Sequence, residues 1–270
     1  MLLNDKVKNL GIGATAGVIS RTLVAPLERL KILHQVTDKV KNGYVKCIKN
    51  IVKNEGYKGL FAGNGTNCVR ILPKTSIQYS SFQVCNNYFD NKFLTGAMSG
   101  LFTTLSIYPL ESIRSRLTVQ NHKDKDAYKG IIDCAKGIYK NNGIKGFYRG
   151  IDVTIVGSVP LYSINFGLYN YFQNKLGGNN MFNNFVSGNL SMFGALSIVY
   201  PTDLIRRRMQ LRGEYGIPNY KNWLDCSKDM ISKEGYKSLY RGIKVDYIKM
   251  LPANGIFFVM IELLNYYAFN

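Results

Sequence analysis

Three stretches that share one pattern determine the architecture of this 270-residue chain. They read PLERLKILHQ at residues 26–35, PLESIRSRLT at residues 109–118 and PTDLIRRRMQ at residues 201–210. In each stretch a proline is followed by an acid two positions later and by a base five positions later. Each stretch also lies at the end of an apolar segment. A pattern that recurs at similar intervals along a chain indicates an internal repeat.

Two further landmarks keep the same register. A glycine follows each proline after 30, 34 and 34 residues, within the sequences EGYKGLFAGN, NGIKGFYRGI and EGYKSLYRGI. A second proline follows each of these glycines after 17 residues, at Pro73, Pro160 and Pro252. We therefore predict a single domain over residues 1–270, built from three repeats at about residues 8–91, 92–177 and 178–270.

Segments without charged residues lie between these motifs. They contain no Asp, Glu, Lys or Arg at residues 75–89, 93–110, 153–174, 176–202 and 250–261, while the segment 10–27 is interrupted only by Arg21. The longer ones suffice for a helix to cross about 30 Å of hydrocarbon. The alternative is six buried helices of a soluble bundle, but a soluble surface helix needs a polar stripe that these segments lack. We expect six membrane-spanning helices, two in each repeat.

Positive charge is concentrated in the long connections. The chain has a net charge of +18, and residues 34–60, 118–149 and 211–244 hold twenty of its 35 Lys and Arg residues. The short connections near residues 87–92 and 173–181 hold one lysine each. This alternation is expected if all long loops lie on one side of a membrane. A soluble basic repeat protein that binds nucleic acid is the alternative from another class, but it would carry charge on its helices. We expect no nucleic-acid partner.

The repeated prolines place charges at helix kinks. A proline inside a membrane helix removes a hydrogen bond and bends the helix. Ionised groups at that depth are costly, so they should face the interior and pair with one another. Three kinked helices would bring six such groups into a ring: Glu28, Lys31, Glu111, Arg114, Asp203 and Arg206. The alternative is that these side chains extend to the loop side as interfacial charges.

Cysteines and histidines do not suggest metal or catalytic chemistry. Cys47, Cys134 and Cys226 each fall nine residues before the repeated glycine, so a shared packing position is expected. The chain has two histidines, and it contains no phosphate-binding P-loop or nucleophile motif. We expect a protein that is not an enzyme and that needs no metal or cofactor.

These motifs, over about residues 10–267, closely resemble those of the mitochondrial carrier family. The resemblance implies an all-α membrane protein of six tilted helices in pseudo-threefold symmetry, with three short helices on the matrix side. It implies a multi-pass monomer in the inner membrane of mitochondria or of a mitochondrion-derived organelle. The bilayer, with cardiolipin as one of its lipids, would be its partner besides the substrate.

The resemblance also assigns roles to the charged ring. It would form the matrix gate, with Lys31 paired to Glu111, Arg114 to Asp203 and Arg206 to Glu28. Gln35 and Gln210 match the glutamines that brace this gate in the family, and Thr118 occupies the middle position, where a brace is missing.

The family's gate on the opposite side is weakly charged in this chain. The positions that normally hold an aromatic, an acid and a base fall near Phe82, Tyr169 and Ile261, and Glu262 is the one charged residue among them. We expect amides and tyrosines to close this gate by neutral hydrogen bonds, which favours the matrix-closed state at rest.

The family's substrate contact points also map onto this sequence. They are Arg70 on the second helix, Gly157 and Ser158 on the fourth and Lys249 on the sixth, with Arg21 as a further cavity cation. Three or four cations with no matching acid in a narrow cavity would attract a small anionic metabolite. Gly157 and Ser158 would leave flat space for an adenine ring.

The substrate class follows from the same comparison. The motifs resemble most those of ATP-Mg/phosphate, coenzyme A and ADP/ATP carriers, which implies exchange of adenine nucleotides (ATP, ADP or AMP) by alternating access. A carrier of coenzyme A or of another phosphorylated cofactor is the alternative. Ser158 and Leu161 depart from the nucleotide-carrier pattern, in which an aliphatic residue and a tyrosine are usual.

Overall fold

The computed structural model describes residues 2–37, 43–89, 92–121, 123–124, 126–177 and 180–269. Its regular elements in these ranges are helical. The α-helices are α1 (Leu2–Leu23), α2 (Ala25–Val36), α3 (Tyr44–Glu55), α4 (Asn64–Val69), α5 (Ile71–Tyr88), α6 (Lys92–Val119), α7 (Ile131–Asn142), α8 (Ile151–Leu176), α9 (Met181–Gln210), α10 (Trp223–Glu234) and α11 (Ile243–Phe269). Short 3-10 helices follow α3, α7 and α10, at Tyr57–Phe61, Ile144–Tyr148 and Tyr236–Tyr240. The predicted all-α class is confirmed.

The helices form two compact units, each built from separate parts of the chain. One unit contains residues 1–29, 45–148 and 252–270, and α5 packs against α6 within it. The other contains residues 30–44 and 149–251, and α8 packs against α9 within it. The boundaries between the units fall inside α2 and α11, so the units do not coincide with the sequence repeats.

Near the repeated proline, the described helix is interrupted in one repeat and continuous in the other two. In the first repeat the helix is interrupted between α1 and α2, two residues before Pro26. In the second and third repeats, Pro109 and Pro201 lie inside α6 and α9, which are continuous. A proline lacks the donor for one helical hydrogen bond, and only the first helix breaks near it.

Two helical segments have the length and mean hydropathy of membrane spans. They are Ile144–Leu176 and Tyr236–Tyr267, with mean hydropathies of 1.3 and 1.4 over 18 residues. Only 11% and 0% of these windows are buried within the protein, whereas the core helix of a soluble protein is mostly buried. No other helix in the described part of the chain meets the same combination of length, mean hydropathy and low charge. For that reason six spans remain a proposal.

The short helices α3, α7 and α10 are amphipathic and bury one face. Cys47, Cys134 and Cys226 are 3%, 0% and 0% exposed, and all are free thiols. In the second repeat, Cys134 packs in a cluster with Ile113 and Leu117 of α6. The expected shared packing position is confirmed.

Three glycines lie in close contact with the helices that contain the repeated proline motif. Gly63, Gly150 and Gly242 have φ angles of 77°, 77° and 88°. A Cβ atom added at each would lie 3.1–3.2 Å from the main-chain oxygens of Arg114, Arg206 and Lys31, respectively. These oxygens belong to the base of the repeated motif, so each glycine contacts the motif helix of the next repeat. The third repeat contacts the first in the same way.

Candidate substrate-binding cations and matrix-side gate

Two of the predicted gate residues form an ion pair in the first unit. Arg114 lies on α6 five residues after Pro109, and Glu28 lies on α2 two residues after Pro26. Arg114 Nη2 donates to Glu28 Oε1 at 2.8 Å, and the two side chains are 7% and 17% exposed. The structure therefore places an acid and a base of the repeated motif in direct contact, away from bulk water, as expected for ionised groups in an apolar setting.

Arg70 has an acidic partner from the gate. It lies at the junction between α4 and α5, and its Nη1 is 2.5 Å from Glu111 Oε2 on α6. The Arg70 side chain is 9% exposed. The expectation that the substrate-binding cations have no matching acid is therefore wrong for Arg70. The sequence places these residues 41 positions apart, so their contact depends on how α6 packs in the unit.

A neutral residue that the sequence analysis did not select, Asn67, links Arg70 to Arg21. Asn67 Oδ1 accepts from Arg21 Nη1 at 3.2 Å and from Arg70 Nη2 at 3.3 Å. Asn67 is 6% exposed. Two of the expected substrate-binding cations are thus brought together in one unit by a shared amide oxygen. Asn67 could have been selected from the sequence by its position three residues before Arg70.

Lys249 also has a carboxylate partner. Its Nζ lies 2.7 Å from Oδ1 of Asp246, one helical turn earlier on α11. The other carboxylate oxygen of Asp246 lies 2.6 Å from Nζ of the gate residue Lys31. The expectation of a cation without a matching acid is wrong here too, because the i,i+3 spacing on a helix puts the two side chains on one face.

Asp203 is the second carboxylate beside Lys31. Its Oδ2 lies 3.0 Å from Lys31 Nζ, and its Oδ1 lies 2.7 Å from Arg206 Nη2, three residues later on α9. The second unit therefore contains five charged groups in one continuous chain of contacts: Arg206, Asp203, Lys31, Asp246 and Lys249. The gate pairs implied by the family resemblance each join residues of different units and remain predictions: Lys31–Glu111, Arg114–Asp203 and Arg206–Glu28.

Gln35 on α2 forms hydrogen bonds with two side chains of α9. Its Nε2 donates to Tyr200 Oη at 3.0 Å and to Asp203 Oδ2 at 3.1 Å. Gln35 and Gln210 are both 0% exposed. Tyr200, which the sequence analysis did not select, also stacks on Tyr240 with ring centroids 6.3 Å apart. The bond to Asp203 ties Gln35 to a gate carboxylate, while the bracing role of both glutamines remains a prediction.

A cavity lies next to the position where a brace is missing. Thr118 Oγ1 donates to the carbonyl oxygen of Arg114, in its own helix, at 2.8 Å. The cavity has a volume of about 10 Å³, room for one water molecule, and is lined by Ala25, Glu28, Arg29, Ala62, Gly63, Asn64, Asn67, Arg114 and Thr118. Because threonine is shorter than glutamine, it does not extend across this space.

Gly157 and Ser158 have local contacts on α8. A Cβ atom added to Gly157 would collide with the side chain of Thr202 on α9. Ser158 Oγ donates to the carbonyl oxygen of Thr154, one turn earlier. The space beside Gly157 is therefore occupied by Thr202 in this structure. The expectation of an open flat surface for an adenine ring is wrong here, because the missing side chain allows close approach of α9.

The weakly charged gate of the opposite side shows one amide–tyrosine bond. Gln173 Nε2 donates to Tyr169 Oη at 3.1 Å, one turn earlier on α8. Phe82 and Glu262, in contrast, are exposed. Closure of this gate by neutral hydrogen bonds remains a prediction.

The sequence model of one protein family matches the chain three times in succession. The family is described as mitochondrial carrier protein, and the matches cover residues 4–93, 88–180 and 177–270. The chain belongs to the mitochondrial carrier family. This membership confirms the resemblance found in the sequence motifs, and a carrier of three repeats agrees with the all-helical structure.

Individual relatives of this carrier are similar over most of its length. The mitochondrial adenine nucleotide transporter ADNT1 of Arabidopsis thaliana is 32% identical over 302 residues, covering 96% of this chain and 86% of the relative. Mitochondrial substrate carrier family protein P of Dictyostelium discoideum is 30% identical, covering 94% and 91%. The human mitochondrial adenyl nucleotide antiporter SLC25A24 is 32% identical and covers 94% of this chain, which spans 57% of that longer relative.

These comparisons also confirm the expected location of the carrier. Both the family and its named relatives are mitochondrial, in agreement with a multi-pass protein of the mitochondrial inner membrane. The relatives are named as transporters, carriers and antiporters, which agrees with a transport protein rather than an enzyme.

Proposed function

We propose that this carrier exchanges adenine nucleotides (ATP, ADP or AMP) across the mitochondrial inner membrane by alternating access. The observation that carries the proposal is the similarity to relatives from a plant and an animal that are both named as adenine nucleotide carriers. Each is 32% identical, and each match covers at least 94% of this chain.

The proposed carrier has six membrane-spanning helices, two per repeat. The threefold family match and the charge-free segments of the sequence support this arrangement. The two segments with the hydropathy of membrane spans are the fourth and sixth of the series. Of the other proposed spans, the first is divided between α1 and α2, and the odd-numbered ones end in the charged motif.

Arg21 and Arg70 in one unit and Lys249 in the other are the proposed phosphate-binding residues. Arginine can grip a phosphate with two parallel hydrogen bonds, whereas lysine acts as a point charge. Both Arg70 and Lys249 are neutralised by a carboxylate in this structure. A nucleotide must therefore compete with these carboxylates, so selectivity for multiply charged anions is expected.

The experiment is uptake by liposomes that contain the purified carrier and a panel of internal anions: ATP, ADP, AMP, coenzyme A and inorganic phosphate. Charge-assisted hydrogen bonds contribute about 1.5–3 kcal/mol, so Arg70→Ala and Lys249→Ala should each raise KM for the nucleotide about 10- to 100-fold. Lys244→Ala, on an exposed lysine of α11, is the matched control and should leave KM unchanged.

The panel separates the proposed function from its alternative. Preference for coenzyme A over all three adenine nucleotides would favour a cofactor carrier. Normal nucleotide uptake by both alanine variants, at unchanged melting temperature, would contradict the proposed binding residues.

A further inference from the structure

A buried carboxylate on α11 connects a proposed substrate-binding cation to the gate. Asp246 is 4% exposed. Its Oδ1 lies 2.7 Å from Nζ of Lys249, the proposed phosphate-binding residue, and its Oδ2 lies 2.6 Å from Nζ of Lys31. Lys31 is in turn 3.0 Å from the gate residue Asp203. Within the same unit, Asp246 thus contacts one proposed substrate-binding residue, Lys249, and one predicted gate residue, Lys31.

The charge at this position distinguishes the third repeat from the other two. Asp246 lies three residues before Lys249, Asn67 lies three residues before Arg70, and Thr154 lies three residues before Gly157. The first repeat therefore has a neutral amide where the third has an acid. Asn67 accepts hydrogen bonds from Arg21 and Arg70, but an amide leaves the charge of those cations in place.

The two lysines depend on Asp246 electrostatically. Both ammonium groups contact the same buried carboxylate, and the Lys31 and Lys249 side chains are only 7% and 17% exposed. An ammonium group away from water is costly unless an anion lies beside it. A substrate phosphate carries the same sign of charge as Asp246, so it can take the place of this carboxylate beside Lys249.

We propose that Asp246 is an internal counter-ion that a substrate phosphate displaces from Lys249, so that occupancy of the site changes the charge around the gate residue Lys31. The proposal rests on the proposed function and adds a positioning residue to it. Without substrate, Asp246 neutralises both lysines. With a phosphate on Lys249, Asp246 is repelled by the phosphate and remains with Lys31, where it competes with Asp203.

The test is nucleotide exchange by Asp246→Asn in liposomes, with KM and kcat measured separately. The amide removes the competing charge, so KM should fall by at least about fivefold, a typical size for coupling between sites. The kcat should fall as well, because substrate binding no longer changes the charge around Lys31. If Asp246 only held Lys249 in place, replacing Asp246 would raise KM instead of lowering it.

Further variants isolate the charge and its partner. Asp246→Glu keeps the carboxylate and should restore the wild-type KM. In a Lys249→Gln background, Asp246→Asn should no longer lower KM, because the proposed competition takes place at Lys249. Asp152→Asn removes an exposed carboxylate at the start of α8 and is the matched control, with KM expected to stay unchanged.

A failure of the counter-ion proposal can be distinguished from a failure of the proposed function. If the wild-type carrier exchanges a phosphorylated anion other than adenine nucleotides, the nucleotide proposal fails and the series is measured with that anion. If the wild type exchanges its substrate while Asp246→Asn has an unchanged or higher KM, the counter-ion proposal is overturned. If Asp246→Asn does not fold, Asp246→Thr, which copies Thr154 of the second repeat, is judged by the same criterion.

Discussion

Gln35 and Thr118 occupy the same position in successive repeats but make different bonds. Gln35 reaches Tyr200 and Asp203, whereas Thr118 bonds only within its own helix among the contacts described for its side chain. The residue before the repeated proline is Tyr200 in the third repeat and Ala25 in the first. The first repeat therefore lacks the tyrosine and the second lacks the glutamine, and a cavity lined by Ala25 and Thr118 lies there.

Restoring the missing amide should stabilise the carrier. Thr118→Gln places a longer side chain beside the cavity, with Glu28 in the position that Asp203 has relative to Gln35. One added hydrogen bond contributes about 1 kcal/mol, which corresponds to about 2–4 °C in melting temperature for a protein of this size. Gln35→Thr should lower the melting temperature. An unchanged or lower melting temperature for Thr118→Gln would show that glutamine does not fit this junction.

Cys226 should be unreactive in the folded carrier. Burial on α10 raises the pKa of its thiol to about 12. At pH 8 the thiolate fraction is then about one part in ten thousand, and the thiolate is the nucleophile. In a variant that retains only Cys226, we expect labelling by a maleimide to require denaturant. Lys228→Cys, at an exposed position on the same helix, should be labelled without denaturant. Comparable labelling rates at the two positions would contradict the burial of Cys226.

At the scale of helices, a buried arginine joins α2, α3 and the end of α6. Arg29 is 2% exposed and donates to both carboxylate oxygens of Glu55, at 3.0 and 2.9 Å. It also donates to the carbonyl oxygens of Thr118 and Gln120, both at 3.1 Å. The last carbonyls of a helix lack intrahelical partners, so Arg29 satisfies groups that would otherwise be unpaired.

Removing the charge of Glu55 should destabilise this junction. Glu55→Gln leaves the Arg29 guanidinium without its counter-ion, and breaking a buried pair in this way costs about 3–5 kcal/mol. The comparison variant is Glu234→Gln, which affects the ion pairs with Arg208 and Arg241 in the third repeat. Because the side chain of Glu234 is 25% exposed and that of Glu55 is 7% exposed, the smaller loss is expected at Glu234. Unfolding monitored in detergent would test this order.

The glycine junctions provide a second test at this scale. Gly242 and Gly235 both have positive φ angles, 88° and 76°, but only Gly242 has heavy atoms within 4 Å of an added Cβ. Alanine at either position therefore pays about 1–2 kcal/mol of backbone strain. Gly242→Ala must in addition push away the carbonyl oxygen of Lys31, so its melting temperature should fall further. Equal losses for the two variants would contradict the close contact.

At the scale of the whole molecule, the basic connections predict the orientation of the carrier. If residues 34–60, 118–149 and 211–244 face the matrix, trypsin should cleave them in inverted inner-membrane vesicles. From the outer side, the short connections offer Lys92 and Lys175 instead. Cleavage within the three basic loops in intact mitoplasts would contradict the proposed topology.

Much of this fold could be predicted from the sequence because the landmarks of each repeat can be identified without knowing how the helices pack. The positions of the prolines, glycines and cysteines predict three repeats, and the helices follow one another along the chain in the expected order. The partners of Arg70 and Lys249 were not predicted in the same way. The contact of Arg70 with Glu111 depends on helix packing across 41 residues. Asp246, in contrast, was visible one turn before Lys249, and its spacing was sufficient to suggest the pair.

The junction of Gly242 with Lys31 has a consequence for biosynthesis. Residues 30–44, which the ribosome makes early, belong to the same unit as residues 149–251, which it makes much later. The described contacts of Lys31 and Gln35 with Tyr200, Asp203, Gly242 and Asp246 therefore cannot form until the third repeat has been translated. Chains truncated before residue 242 should consequently lack the contacts of Gly242 and Asp246 with Lys31, although most of the chain has been made.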